Sequence, residues 1–306
     1  MTLTAVHSQK STIDRANIIQ VLTSGLSRVA PGLAAMAAEQ LFVTVFRHKR
    51  PPREEAWADG AVRISVPSRH GDLAAWTWGN GPRTVMLVHG WAGRGLQLGA
   101  FVEPLVEAGY RVVAYDGPAH GASPGRRTNI FRLTEGLVAV VNAIGPVDAV
   151  IAHSLGTTAV LLAVTRHGFD PGRFVAVSPM ADTRTMTDWY GHMTGFGRTV
   201  VARMRERLED GIGFRWEEIE PIRLAATFEA DTLVIHDSDD CELPASEGES
   251  LAQSMPAAGY LQTEGLGHRR ILRDKGVVEA ATDFIIKRRS SIESPGRSRT
   301  NTASAA

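Results

Sequence analysis

Between residues 84 and 287, short apolar or β-branched runs alternate with segments patterned as helices, and this alternation constrains the chain more than any other feature. Strand, helix and strand in succession pair in parallel through a right-handed crossover. The chain is therefore expected to be an α/β protein, with a mostly parallel central sheet flanked by helices. The strand-like runs lie at 84–88, 111–115, 147–152, Arg173–Val177, 232–236 and 260–263. Helices are expected at 96–108, Ile130–Ile144, from Leu155 onward, and at 246–255 and 277–287. Two earlier runs, Val62–Val66 and Leu73–Trp78, are separated by a Pro-, Ser- and Gly-containing turn and predict a hairpin or meander. After Pro179 the rhythm stops and resumes near Thr232. This divides the chain into an N-terminal helical extension (1–60), a core (61–179 and 229–287), a cap inserted at 180–228, and a disordered tail (288–306).

Composition narrows the function classes. The 306 residues carry 33 Lys plus Arg against 33 Asp plus Glu, a formal net charge of zero, so nothing suggests a nucleic-acid partner. Hydrophobic residues make up 43%, which excludes disorder as the main state. Cys241 stands alone and cannot form an internal disulfide, so a reducing, cytoplasmic setting is expected. The first twenty residues lack the basic start and apolar run of a signal peptide. The most apolar stretch, 29–46, is interrupted by Pro31, Glu39 and Gln40, so no stable membrane span is expected. It reads instead as a helix opening at Pro31, docking through Leu33, Met36, Ala37 and Leu41.

The chemistry-bearing residues fall where strands run out. Ser154, in Ala152-His153-Ser154-Leu155-Gly156, joins an apolar strand to a helix. That is the setting of a nucleophile elbow: the serine takes a tight, strained turn, and small residues two before and two after let strand and helix approach. Ala152 stands where the G-x-S-x-G pattern has its first glycine. The amide of Leu155 would face an oxyanion. A helix-capping role for Ser154 is the plain alternative. His89-Gly90-Trp91-Ala92-Gly93 forms a second strand-to-turn junction, in which the Trp91 amide would face a substrate carbonyl.

On these motifs the chain resembles the α/β-hydrolase fold superfamily from about Val62 to Lys287, and more closely its serine esterase and lipase branch with a single residue after His-Gly. The resemblance implies a catalytic triad in the order nucleophile, acid, histidine. The acid loop would be 236–244; the family's spacing of an Asp four residues before Pro244 points to Asp240, with Asp237, Asp239 and Glu242 crowding the same loop. Gly265-Leu266-Gly267-His268 resembles the histidine loop and makes His268 the base. Asp116, in Asp116-Gly117-Pro118-Ala119-His120-Gly121, is expected to tie loop amides near the site. His89 and His236 are expected to bond loop backbones, His153 to orient the elbow, and the remaining histidines to lie on the surface or cap.

The implied reaction is cleavage of a carboxylic ester through an acyl-enzyme on Ser154, with Trp91 and Leu155 as backbone oxyanion donors. No cofactor and no metal are expected, because H-E-x-x-H, paired-cysteine and P-loop patterns are absent from the sequence. The partner would be a small, apolar ester. Met186, Trp189, Tyr190, Met193, Phe196, Phe214 and Trp216 would either roof its pocket or form the cap's own core. A thioesterase, lactonase or C–C bond hydrolase would use the same triad. A non-catalytic member of the fold, binding a ligand or protein, is the reading from another class.

Overall fold

The computed structural model describes residues 15–287, so the expected disordered tail and the residues before Arg15 lie outside the described residues. Eight strands form one sheet: β1 (Val62–Val66), β2 (Leu73–Trp78), β3 (Arg83–Val88), β4 (Tyr110–Tyr115), β5 (Ala149–His153), β6 (Arg173–Val177), β7 (Asp231–Asp237) and β8 (Ala258–Thr263). Their order is β1-β2-β4-β3-β5-β6-β7-β8. β1 and β2 form the expected antiparallel pair, β2 runs antiparallel to β4, and every later pairing is parallel. From β3 the chain crosses to β4 on one side and later to β5 on the other. Such a switch point opens a crevice at the carboxyl ends of the strands. Val88 is in register with Ala152, which brings the loops after β3 and β5 side by side.

Alternation along the strands fills two layers. Met86, Val88, Val150, Ala152, Phe174 and Ala176 face one core, with Leu137, Val140, Val160 and Leu161 from the helices Ile130–Ile144 and Leu155–His167. Val85, Leu87, Ile151, Val175 and Ile235 face the other, with Leu105 and with Val277, Ala281 and Ile285 of the helix Lys275–Ile286. A strand buried on both faces reads as a continuous apolar run. The expected helix at 96–108 is instead a tight 3-10 segment, Gly95–Phe101, followed by an α-helix at Val102–Glu107. Pro104 lacks an N–H, and so is tolerated in the first turn of that helix but not in its interior.

Between β6 and β7 lie the helices Thr183–Thr194 and Arg198–Ile212, a turn at Trp216–Glu218 and the short helix Pro221–Ala225. Glu247 pins the start of this segment to the sheet's helical layer, accepting from the amides of Ala181 (2.7 Å) and Asp182 (2.9 Å). The helix Pro31–Phe42 opens at Pro31 as expected but docks mainly on a different face: of Leu33, Met36, Ala37 and Leu41, only Leu41 packs against the body. Ala34, Ala35 and Ala38 are buried against Val200, Val201 and Met204, whereas Leu33 and Met36 are 63% and 48% exposed. Small side chains let two helix backbones approach closely, and here proximity outweighs the larger apolar area of Leu and Met. Phe196, Phe214 and Trp216 fill the same cluster, while Tyr190 packs edge-on against Phe42 and donates to the Ala38 carbonyl (2.8 Å). These rings form an interhelical core, the second of the two roles open to them.

Candidate active site

Ser154 is the single residue between β5 and the helix Leu155–His167, and it turns the chain at φ 52°, ψ −125°. That backbone is strained for an L-residue and persists only where its surroundings enforce it. Close packing does so here. A methyl on Gly156 would lie 2.6 Å from the His89 carbonyl oxygen, and one on Gly90 would lie 2.9 Å from both the His153 carbonyl oxygen and Ser154 Cβ. Ala152 is tolerated at the position before the turn because its methyl sits in the core, between Val88 and Ala176 on the neighbouring strands.

The turn after β3 carries the second group of expected residues. Ala92 adopts φ 52°, again left-handed, and its amide donates to His120 Nε2 (3.0 Å). Trp91 stands edge-on to the His120 ring at 5.5 Å. His89 Nδ1 donates to the Gly90 carbonyl (2.7 Å) and its Nε2 accepts from the Gly117 amide (2.8 Å), two bonds that require the same tautomer. Asp116 accepts from the amides of Gly95 (2.8 Å) and Ala122 (2.7 Å), as expected, and burial pushes its carboxyl upward against those bonds. Among the described residues, the amides of Trp91 and Leu155 donate to no protein group.

The acid loop separates its carboxylates. Asp240 is buried and meets His268 Nδ1 at 2.6 Å. Its other oxygen accepts from the amides of Glu242 and Leu243, each at 2.9 Å. Burial alone would raise this carboxyl; hydrogen bonds from His236, His268 and the Leu243 amide outweigh it and hold the group well below the usual carboxylate range. Asp237 instead binds the amides of Leu266 (3.1 Å) and Gly267 (2.8 Å) and the Thr263 hydroxyl (2.7 Å), anchoring the histidine loop to β7. Asp239 is exposed. His268 is brought beside the serine turn as well: its carbonyl accepts from His153 Nε2 (2.9 Å) and the two rings lie 4.7 Å apart. The Ser154 hydroxyl and His268 Nε2 form no hydrogen bond with each other in this arrangement.

The sequence profile of the family described as serine aminopeptidase, S33, matches residues 80–246, from the turn before β3 into the helix after the acid loop. The chain belongs to that family. A serine hydrolase-like protein of Danio rerio is 29% identical over 163 residues, 50% of this chain and 46% of its own, so the chain spans about half the length of that curated relative. Among solved structures, an esterase of Pyrococcus furiosus superposes with a TM-score of 0.60 at 15% identity, covering 79% of this chain and 97% of that one. A bromoperoxidase of Bacillus anthracis gives 0.57 at 17% identity, covering 74% and 100%. At these identities the likeness is one of fold, and the fold is that of the α/β hydrolases.

Two histidines of this S33-family chain, His120 and His153, differ from expectation, and a third, His236, does more than expected. His120 is fully buried rather than on the surface, shaping the turn after β3 by accepting from Ala92 and donating to the Pro118 carbonyl (3.0 Å). Burial, and then the neighbouring His89, push its ring down to about 3, so it stays neutral and keeps its acceptor lone pair. His153 bonds the histidine loop rather than the elbow. His236 bonds the Leu243 carbonyl (3.1 Å) as expected and also backs Asp240, Nε2 to Oδ2 at 3.3 Å. Pattern reading sees strand ends; which loop folds over a strand-end histidine depends on tertiary register.

Proposed function

We propose that the protein is a serine hydrolase that cleaves a carboxylic ester through an acyl-enzyme on Ser154, with His268 as base, Asp240 as its anchor, and the amides of Trp91 and Leu155 as oxyanion donors. The hydrogen-bonded Asp240–His268 pair beside a strained serine turn carries this reading. A serine hydroxyl is a weak nucleophile until a neutral imidazole removes its proton. The reaction requires Ser154 Oγ to reach His268 Nε2; such contacts are often long in an unliganded enzyme and tighten with substrate. Oγ then attacks the carbonyl carbon as its proton passes to Nε2, and the oxygen's negative charge is received by the two unengaged amides. Collapse breaks the ester C–O bond and the leaving alcohol takes the proton from Nε2. Water, deprotonated by the same nitrogen, repeats the attack and releases the acid and free Ser154. Asp240, ionised throughout, holds the Nδ1–H tautomer and stabilises the imidazolium.

The family's description names an aminopeptidase. A cavity beside the turn after β3 is walled by Arg47, Arg50 and Arg94, with Glu55 as its acid, and is lined by none of Ser154, Trp91 and His268. An ammonium group approaching from that side meets mostly positive charge, which supports an ester over a peptide with a free amino terminus.

An active-site-directed fluorophosphonate tests the proposal. It is expected to label the wild type, and Ser154→Ala is expected to stay unlabelled and to hydrolyse p-nitrophenyl esters at least about a thousandfold more slowly. A folded wild type that resists the label would favour the non-catalytic reading, and a panel of esters of increasing acyl length would define the pocket.

A further inference from the structure

Although the chain as a whole is neutral, one cluster of cationic groups lies against the turn that follows β3. Residues 47–53 supply Arg47, Lys49, Arg50 and Arg53, with His48 among them, along the stretch that runs from the Thr44–Arg127 bridge into the helix Pro52–Trp57. This stretch borders two cavities that share His48, Ala92 and Arg94. The first, of about 240 Å³, is walled by Arg47, Arg50 and Arg94 against the turn that carries Trp91. The second, of about 160 Å³, is walled by Lys49, Arg53, Arg94, Arg269 and Arg273, reaching the residues that follow His268. Neither cavity is lined by Ser154, Trp91 or His268; Ala92, next to Trp91, lines both, and Arg269, next to His268, lines the second.

These cations fall into two groups. Some are built into the wall. Arg94 is buried against Glu54, Arg47 donates to the carbonyls of Ala119, Ser123 and Gly125, and Arg269 pairs with Glu242. Lys49, Arg53 and Arg273 are exposed and, among the described residues, pair with no carboxylate, while Arg50 lies over the Trp76 ring at 5.7 Å. Against them stand Glu54, committed to Arg94, Glu242, paired with Arg269, and Glu55. A fixed wall with unpaired charged heads around it lowers the free energy of an anion and repels cations.

Resting on the acyl-transfer reading above, we propose that this cleft binds a phosphate-bearing part of the substrate, so that the acyl donor carries a phosphoryl group beyond the scissile bond. A monocarboxylate is satisfied by one bidentate arginine, whereas several cationic heads spread over two adjoining cavities match the multiple oxygens and higher charge of a phosphate ester or diphosphate.

The test has one arm that needs no turnover. Titration calorimetry of the full chain with inorganic pyrophosphate is expected to give saturable binding, weakened at least about tenfold in the variant K49Q/R53Q/R273Q, with acetate binding far more weakly. In the kinetic arm, butyryl-coenzyme A is compared with S-butyryl-N-acetylcysteamine, which keeps the thioester and the cysteamine end but lacks the phosphates, the pantoate part and the adenosine. The variant is expected to raise KM about tenfold for the first and less than about twofold for the second. The three side chains are exposed, and fluorophosphonate labelling of the variant confirms that the site is intact. Absent pyrophosphate binding, acetate binding equally well, or equal effects on the two thioesters would overturn the proposal even where neutral esters are hydrolysed. Pyrophosphate binding that the variant loses would uphold the cleft even where no ester is turned over, and that result would count against the hydrolase reading alone.

Discussion

The loops at the carboxyl ends of β3, β5 and β7 and the helical layer that joins the N-terminal helix Pro31–Phe42 to the helices between β6 and β7 are held by different physics. In the loops, polar side chains carry the structure: His89 and His120 each bridge two backbone groups, Asp240 accepts four donors, Ser154 and Ala92 sit in backbone conformations that such contacts sustain, and His236 Nδ1 is buried without a partner among the described residues. In the layer, the helices Pro31–Phe42 and Arg198–Ile212 meet through alanines and apolar side chains, with few specific bonds. Losing one partner in the loops leaves a buried polar group unpaired, whereas the layer answers mainly to volume.

The largest effect that would sharpen this contrast lies within a single loop. Asp240→Asn removes the negative charge behind His268 and offers the wrong hydrogen-bonding group, so kcat is expected to fall about 10³- to 10⁴-fold. Asp239→Asn, on an exposed side chain, is expected to change kcat less than about twofold. Asp237→Asn loosens the amides of Leu266 and Gly267 and is expected to lower stability by about 1–3 kcal/mol, with a secondary loss of rate. Steady-state kinetics and urea unfolding of the three variants separate these outcomes. Equal rate losses at 237, 239 and 240 would mean that the loop acts as a diffuse acidic patch.

The same contrast explains what the sequence revealed. The strand-end residues were legible because a serine elbow, a Gly-rich turn and an Asp–Pro spacing admit few side chains, and Gly90 and Gly156 have no room for a methyl. Strand limits followed from buried apolar runs. The docking face of Pro31–Phe42 was not legible: apolar periodicity fits Leu33 and Met36 as well as Ala34 and Ala38, and only the partner helix decides between them. The supporting roles of His120 and His236 depend on contacts between loops far apart in the chain, which no local pattern encodes.

A second effect distinguishes the two regions by pH. Burial pushes the His89 ring from 6.5 down to about 4, so the folded protein keeps it neutral while the unfolded chain takes up a proton. The unfolded state then binds more protons between these values, and stability falls as pH drops from about 6.5 toward 4, by about 3 kcal/mol from His89. His120 adds in the same direction. Asp240, depressed in the folded state, contributes stability that is lost only below the ordinary carboxylate range. Asp116 and Glu220, raised by burial, gain protons earlier when folded and offset part of the loss. Urea unfolding followed from about pH 7 to about pH 4.5 is expected to show the decline. A flat profile would mean that the loop histidines are solvated and the turn after β3 is looser than its hydrogen bonds imply.

The smallest effects test whether volume governs the helical layer. Ala38 is fully buried against the helix Arg198–Ile212, so Ala38→Leu must part the two backbones and is expected to cost about 1–3 kcal/mol. Leu33→Gln, one turn away on the exposed face, is expected to change stability by less than about 0.5 kcal/mol. Thermal unfolding of the two variants compares a gain of volume inside with a loss of hydrophobicity outside. If Leu33→Gln were the more damaging, the helix would dock through its large side chains, and the close-packed alanine seam would not be what joins it to the body. Because neither residue touches the loops that carry Ser154, Asp240 and His268, fluorophosphonate labelling of both folded variants is expected to match the wild type. A labelling defect in Ala38→Leu alone would show that pressure in this layer reaches the site through the helix Thr183–Thr194 and its anchor, Glu247.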